Sequence, residues 1–386
     1  MKIALLTDGI YPYIIGGMQK HSYYLAKYFA QNKVHVELHH CVPYNQPLIE
    51  HIEGFSKQEL QYITSQCYHF PKPAKYPGHY IKESYMYSKK IFENIKDKII
   101  EFDFIFAQGF SAWYLTRHKR TKQISPKIGI HFHGLEMFQK TSSLTNVIEQ
   151  FFLRWAVIQN LNKTDFAFSL GANLTNILSK YINKNKILIC SNGIDVKLLS
   201  NSIKKKDDTI KFLFVGRYER RKGIEELNIV LKEMIKNELN FEFHFIGPVP
   251  NNKKVQLSKI YYHGSIYEEN KLFNIYDSCD ILVCPSWSEG MPTVILEAMA
   301  RGLAIISTNV GAIPSQISTE NGWLIEPGNK KMLYNTMKNA IMMDTKVLAA
   351  MKLKSIKKIE SNFLWKKVIQ NLITNINQIE KYHEKV

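Results

Sequence analysis

Glu289 and Glu297 bracket the run Glu289-Gly290-Met291-Pro292-Thr293-Val294-Ile295-Leu296-Glu297, and the apolar stretch Ile281–Cys284 stands just before it. The stretch reads as a strand and the run as a turn into a helix, since Pro292 suits the first helical turn and Gly302 the helix end. Gly290, Met291 and Thr293 then offer backbone N–H groups at a positive helix terminus, an arrangement that holds phosphate. Glu297 lies about 7.5 Å beyond Pro292 along the axis, at ~1.5 Å per residue, in reach of ribose hydroxyls. Glu289, ahead of the helix, can meet a sugar beyond the phosphates. Without their neighbours, the same residues read as an acidic helix start and a surface glutamate.

A second group supplies positive charge. Val215-Gly216-Arg217 closes another apolar run, and Lys222-Gly223 precedes a helical stretch that begins near Ile224. Arginine forks across phosphate oxygens and lysine acts as a point charge, so two such cations at one strand-to-helix turn suit a diphosphate. Taken alone, Arg220-Arg221-Lys222 is also an ordinary solvated cluster. His133, at a strand end with Gly134 behind it, can touch a substrate hydroxyl; a satisfied core histidine is the alternative. His131 faces the same side more deeply and reads as structural. Gly16-Gly17 lets backbone amides approach a phosphate or sugar, or serves as a plain hinge.

These residues need a scaffold that gathers strand ends. Lys2–Thr7, Val34–His39, Phe104–Ala107, Ile128–Phe132, Phe166–Ser169 and Lys186–Cys190 read as strands, with helical spacing between them. The alternation restarts with Ile210–Val215, Phe241–Ile246, Ile260–His263, Ile281–Cys284 and Ala304–Ser307. Strands alternating with helices imply parallel βαβ units, so the sequence predicts an α/β chain of two Rossmann-like, doubly wound domains. Ser191-Asn192-Gly193-Ile194-Asp195 and the polar run Lys204–Asp208 mark the boundary. The first domain is expected over 1–190, the second over 195–365, and an amphipathic helix from about Asn362 closes the chain. Ligands of such sheets bind beyond the carboxyl ends of the strands, where the residues above fall.

Composition narrows the chemistry. With 386 residues, 45% hydrophobic and 22% charged, the chain is globular rather than disordered or collagen-like. No apolar run is long enough to span a membrane, and the first residues are too soon interrupted for a secretory signal. Five scattered cysteines without a CxxC pair argue for buried thiols in a reducing, cytoplasmic compartment. The net charge of +17 attracts polyanions, anionic lipid headgroups or phosphorylated substrates. No zinc-finger spacing or RNA-binding aromatic motif points to nucleic acid. A nicotinamide enzyme would need GxGxxG after its first strand, which the chain lacks. No Asp-x-Asp is present, and Glu101-Phe102-Asp103 and Asp207-Asp208 lie away from the strand ends, so no metal is expected.

Together these motifs, in this order, resemble the retaining GT-B glycosyltransferases of family 4, as do Ser191-Asn192-Gly193-Ile194-Asp195 and Asn309-Val310-Gly311-Ala312-Ile313-Pro314. The resemblance implies two domains facing across a cleft, a nucleotide-diphosphate sugar held mainly by the C-terminal one, and an acceptor held mainly by the N-terminal one. The last helix, about 366–386, would cross back onto the first domain. The catalytic set implied is His133, Arg217, Lys222 and Glu289. The donor-binding set is Gly16, Gly17, Ile266 (through its backbone to the base), Gly290, Met291, Pro292, Thr293 and Glu297. The implied reaction is hexosyl transfer with retention, on the front face of the donor, with the departing phosphate helping to deprotonate the acceptor. A UDP-sugar is the preferred donor; a GDP-mannose enzyme and a phosphorylase-like enzyme of the same fold are alternatives. Family habit and charge suggest a glycan or lipid-linked acceptor in cell-surface polysaccharide or lipopolysaccharide synthesis. They also suggest peripheral contact with anionic lipid at the cytoplasmic face of the inner membrane, with no cofactor. One departure is Ala107-Gln108, where many members carry a histidine.

Overall fold

The computed structural model describes residues 1–76, 78–119, 126–140, 147–200 and 209–383. The chain divides into two compact units: Met1–Phe138 with Thr145–Asn192 and Trp365–Val386, and Gln139–Leu144 with Gly193–Leu364. The polar run 204–208, with Asp207-Asp208, lies outside the described residues, as do the last three of the chain.

The first unit holds a seven-stranded sheet: β1 Lys2–Leu6, β2 His35–Val42, β3 Ile63–His69, β4 Phe104–Gln108, β5 Lys127–His131, β6 Phe166–Ser169 and β7 Ile187–Ile189. Every pairing is parallel, in the order β3-β2-β1-β4-β5-β6-β7. Helices cover a parallel sheet on both faces, so central strands are apolar throughout; Ile3-Ala4-Leu5-Leu6 is wholly buried. Leu5 stands opposite Leu38 on one side and Phe106 on the other, which fixes the register at the centre. Leu25 and Phe29 of the helix Gly17–Gln31 pack here, with Trp365, Ile369, Leu372 and Ile376 of the terminal helix Trp365–His383.

The second unit repeats the plan with β8 Ile210–Val215, β9 Phe241–Ile246, β10 Ile260–Tyr262, β11 Ile281–Cys284, β12 Ala304–Thr308 and β13 Gly322–Ile325, in the order β10-β9-β8-β11-β12-β13. Both sheets carry the Rossmann strand order, so the two-domain α/β reading holds. Two strands were not expected. Ile63–His69 carries polar residues at most positions, and Gly322–Ile325 is short; pairing with β2 and β12 makes them strands. The terminal helix starts at Trp365 rather than near Asn362, because Ile359–Phe363 forms a separate π-helical turn. All five cysteines are buried and free, and no described helix is long and apolar enough to cross a membrane.

Candidate functional site

Strand order reverses between β8 and β11 in the second unit, and the connections that leave their carboxyl ends carry the site. Lys222 ends the short turn Arg220–Lys222, which Gly223 closes at φ +72°. A Cβ at Gly223 would stand 2.1 Å from the Pro285 carbonyl oxygen, so only glycine lets this turn lie against the exit of β11. The contact places Arg221 and Lys222 beside the loop 285–289. Trp287 N–H donates to the Arg221 carbonyl at 2.7 Å, and Lys222 Nζ meets Glu289 Oε1 at 2.6 Å. Ser286 Oγ donates to the same oxygen at 2.7 Å, and Arg221 lies 3.4 Å from Oε2. From the other side, Gly311 at φ +54° brings the Ala312 N–H to the Gly290 carbonyl at 2.7 Å. Gln139, which groups with this unit, accepts from the Glu289 N–H at 3.3 Å and donates to its carbonyl at 2.7 Å.

Glu289 is therefore buried, yet charged. Burial alone would raise its carboxyl pKa; the Lys222 and Arg221 charges, with hydrogen bonds from Lys222 and Ser286, outweigh that and hold it below the usual value. Arg221 also pairs with Glu219 at 2.9 Å, and Arg217 meets Glu219 at 3.0 Å. Arg220 of the same turn pairs with Glu225 and Glu226, so the cations here are matched by acids, and Arg221 and Lys222 are the two that reach Glu289. The following helix runs Thr293–Ala300 with Pro292 at its N-cap, one place ahead of the first turn, and no side chain caps it. Glu297, half-buried on that helix, accepts from the Tyr276 hydroxyl at 3.2 Å. Ile266 is half-buried in the loop after β10.

So the fold joins Lys222 and Glu289 directly and sets Gly290, Met291, Pro292, Thr293 and Glu297 in sequence behind them. Arg217 is not drawn to Glu289: its side chain is 74% exposed and turned to Glu219.

The first unit reverses between β1 and β4. Gly16 caps the helix Gly17–Gln31 in an extended conformation. A Cβ at Gly17 would meet nothing within 4 Å, so packing inside the unit does not require glycine there. Gln108, the last residue of β4, connects two histidines. Its Nε2 donates to His21 Nδ1 at 3.1 Å, and its Oε1 lies 2.6 Å from His133 Nε2. An amide oxygen only accepts, so His133 carries its proton on Nε2 and keeps Nδ1 as a lone-pair acceptor. Burial pushes His133 down to about 3, and burial first, then neighbouring histidines, keeps His21 and His131 neutral as well. His131 stacks on His133 at 4.1 Å between centroids, with both ring nitrogens buried and unpartnered. His21, His131 and His133 can bring one ring nitrogen each within 4.8 Å of the others, the one such metal-capable trio among the described residues; no metal was expected from the sequence.

Asp8, just past β1, accepts from Gln19 Nε2 at 3.0 Å and lies 3.5 Å from the Tyr80 hydroxyl. Burial raises its pKa to about 6 despite those bonds. It borders a cavity of about 400 Å³ lined also by Tyr44, Phe70, Pro71 and Tyr80.

The sequence alone does not single out Asp8, His21, Arg221 or Gln139 as site residues. Arg221 was visible inside the Arg220-Arg221-Lys222 cluster, and Gln108 as an unusual residue at a strand end. Asp8 was visible too, as an acid immediately beyond the first strand.

Comparison with known families agrees with the double Rossmann plan. Residues 15–198 match the model for Glycosyltransferase Family 4, and residues 209–342 that for Glycosyl transferases group 1. An uncharacterized glycosyltransferase of Methanocaldococcus jannaschii is 26% identical over 338 residues, 85% of each chain. The capsular polysaccharide biosynthesis glycosyltransferase CapM of Staphylococcus aureus is 27% identical over 184 residues, 43% of this chain and 48% of its own. Among solved structures, HepE of Anabaena in complex with UDP superimposes with a TM-score of 0.68 at 16% identity, covering 98% of this chain and 100% of its own. Two Rossmann sheets, a carboxylate and a lysine paired at the second switch point, and family matches over both units lead to one conclusion: the chain belongs to glycosyltransferase family 4, with a GT-B fold, and is a glycosyltransferase.

Proposed function

We propose that the enzyme moves a hexose-type sugar from a UDP-sugar to a glycan or lipid-linked acceptor, with retention of configuration, in cell-surface polysaccharide or lipopolysaccharide synthesis. It works at the cytoplasmic membrane face and needs neither cofactor nor divalent metal. The observation that carries this reading is the Lys222–Glu289 pair, its carboxylate buried, set ahead of a helix terminus that no side chain caps. Supporting it, the Anabaena neighbour was solved with UDP, and the Staphylococcus relative is named for capsular polysaccharide synthesis.

In this account the diphosphate lies on the amides of Gly290, Met291 and Thr293, beyond Pro292, with Arg217 and Lys222 above it. Glu297 takes the ribose hydroxyls, and the Ile266 backbone takes the base. Glu289 and His133 Nδ1 each accept from hexose hydroxyls, and the Gly16-Gly17 backbone gives the sugar room. The acceptor oxygen bonds to the anomeric carbon on the face the diphosphate leaves. The bond from that carbon to the phosphate oxygen breaks, and the acceptor proton passes to the departing phosphate. The protein's part is to stabilise charge as it gathers on the leaving diphosphate.

Thermal melting with UDP and with GDP is the test. A nucleotide at 100 times its Kd adds about 2.7 kcal/mol, enough to raise the melting temperature visibly. UDP should stabilise and GDP should not; the reverse would make this a GDP-sugar enzyme, and turnover that requires inorganic phosphate would make it a phosphorylase.

A further inference from the structure

The second unit carries a basic pocket on the edge of its sheet opposite the residues assigned to donor chemistry. Lys222 and Glu289 follow β8 and β11 at their carboxyl ends, whereas Ser318, Glu320 and Asn321 lie just ahead of β13, at the amino edge of the same parallel sheet. Facing them are the helix Thr345–Lys358 and the π-helical turn Ile359–Phe363, which ends just before the chain leaves the unit at Leu364. Lys354, Lys357 and Lys358 of that helix and Ser361 of the turn line a cavity of about 380 Å³ together with the loop ahead of β13. The volume is within the ~300–1,000 Å³ typical of small-molecule sites. Ligands of such sheets usually bind at the carboxyl edge, so this pocket is no part of the donor site.

Three lysines converge here on one acid. Lys354 pairs with Glu320 at 2.5 Å, while Lys357 and Lys358 join no ion pair among the described residues. Glu360, in the adjoining turn, is exposed and not part of the lining. The lining therefore carries two more positive charges than negative ones, which matches the charge of about −1.5 to −2 on a phosphate monoester at pH 7. Lys358 is half-buried, and its burial, only partly offset by Glu320, holds the ammonium below its usual pKa. Removing an ammonium from water is costly unless an anion meets it. Two hydroxyls stand ready beside the lysines. Ser318 Oγ donates to Asn321 Oδ1 at 3.3 Å, and Ser361 Oγ to the Lys358 carbonyl at 3.2 Å. Both are long bonds between neutral groups, which a charged acceptor outcompetes. A concave pocket, unlike a stripe of cations along a surface, selects a small anion over a polyanionic chain. We propose that this pocket is a second anion site, separate from the donor site, which takes the phosphate group of a small solute on Lys357 and Lys358 with the hydroxyls of Ser318 and Ser361 donating to it. The proposal does not depend on the donor reading.

The experiment is calorimetric titration of the full chain with inorganic phosphate and with ribose 5-phosphate, at constant ionic strength so that screening does not change between runs. The wild type should bind, and Lys357→Gln with Lys358→Gln should weaken binding about tenfold or more, as expected when hydrogen bonds to a charged group are lost. Lys331→Gln with Lys346→Gln removes two exposed charges elsewhere on the same unit and should leave binding unchanged. Should the first double variant fail to fold, Lys357→Gln alone, at an exposed position, should still weaken binding. Equal affinity for the two probes would identify the free ion as the ligand, and tighter binding of ribose 5-phosphate an organic monoester; either supports the site. A wild type that binds neither probe would overturn the proposal, as would equal losses in the two double variants. Lys222→Ala keeps the two sites apart. Phosphate binding should survive that change; binding lost there but intact in Lys357→Gln with Lys358→Gln would place the anion at the donor site and overturn the proposal.

Discussion

At the scale of single residues, the half-buried Lys222 ammonium neutralises the buried Glu289 carboxylate. On the proposed reading Lys222→Ala removes a fixed charge beside the leaving diphosphate, and turnover should fall by about 2.7–4 kcal/mol of transition-state stabilisation. The same change strands a buried carboxylate, which costs roughly 3–5 kcal/mol when a buried pair is broken, less whatever Arg221 still supplies. Adding Glu289→Gln should therefore recover much of the melting temperature without recovering turnover, and a double variant no more stable than Lys222→Ala would contradict the pairing. Asp8 gives a pH signature of opposite sense. Its pKa rises from 3.8 to about 6 on folding, so the folded chain holds a proton that the unfolded chain releases. Its contribution to stability is complete below the unfolded value and is lost as pH rises through about 6. Melting curves of Asp8→Asn should gain on the wild type across that window and keep a constant lead above it; a lead that does not change with pH would refute the assignment. Lys222 and Glu289 were legible in the sequence because each stands just after an apolar run. The Gln108 link between His21 and His133 was not, since it joins residues from a helix, a strand and a loop. Only the sheet brings these together.

Elements hold these residues through two tight approaches. Gly223→Ala combines a left-handed residue, costing about 1–3 kcal/mol, with a Cβ pressed on Pro285. It should lower the melting temperature and, by moving Lys222, weaken UDP binding in calorimetry. Gly17→Ala is the contrast: its Cβ would meet open space, so stability should persist while turnover falls if substrate passes over that backbone. Glu297 and Glu289 sit on either side of a helix terminus, and their roles should separate. Glu297→Ala should mainly reduce affinity for free UDP, and Glu289→Ala mainly turnover; equal losses of UDP affinity would contradict the division. The strand–helix alternation was readable wherever a strand is buried on both faces, as in β1, β8 and β11. It failed at β3 and β13, whose residues become strand through the neighbour they pair with. The helix after Pro292 was readable because proline, an apolar run and Gly302 are contiguous in the chain.

At the scale of the whole molecule, each unit repeats one strand order and presents its chemistry at the reversal of that order. Arginine and lysine gather at the second reversal, and neutral histidines with a half-buried acid at the first. In the proposed account Lys222 and the helix terminus oppose the diphosphate charge in place of a divalent ion, so a nucleoside diphosphate should bind this chain unaided. The direct measurement is calorimetric titration of UDP into the full chain in excess EDTA, for the wild type and for Lys222→Ala. The account predicts that the wild type binds UDP with metal removed and that Lys222→Ala binds it far more weakly. A wild type that binds neither UDP nor GDP under EDTA, but does so once Mg²⁺ or Mn²⁺ is restored, would mean that the charge opposing the diphosphate comes from a metal and not from Lys222.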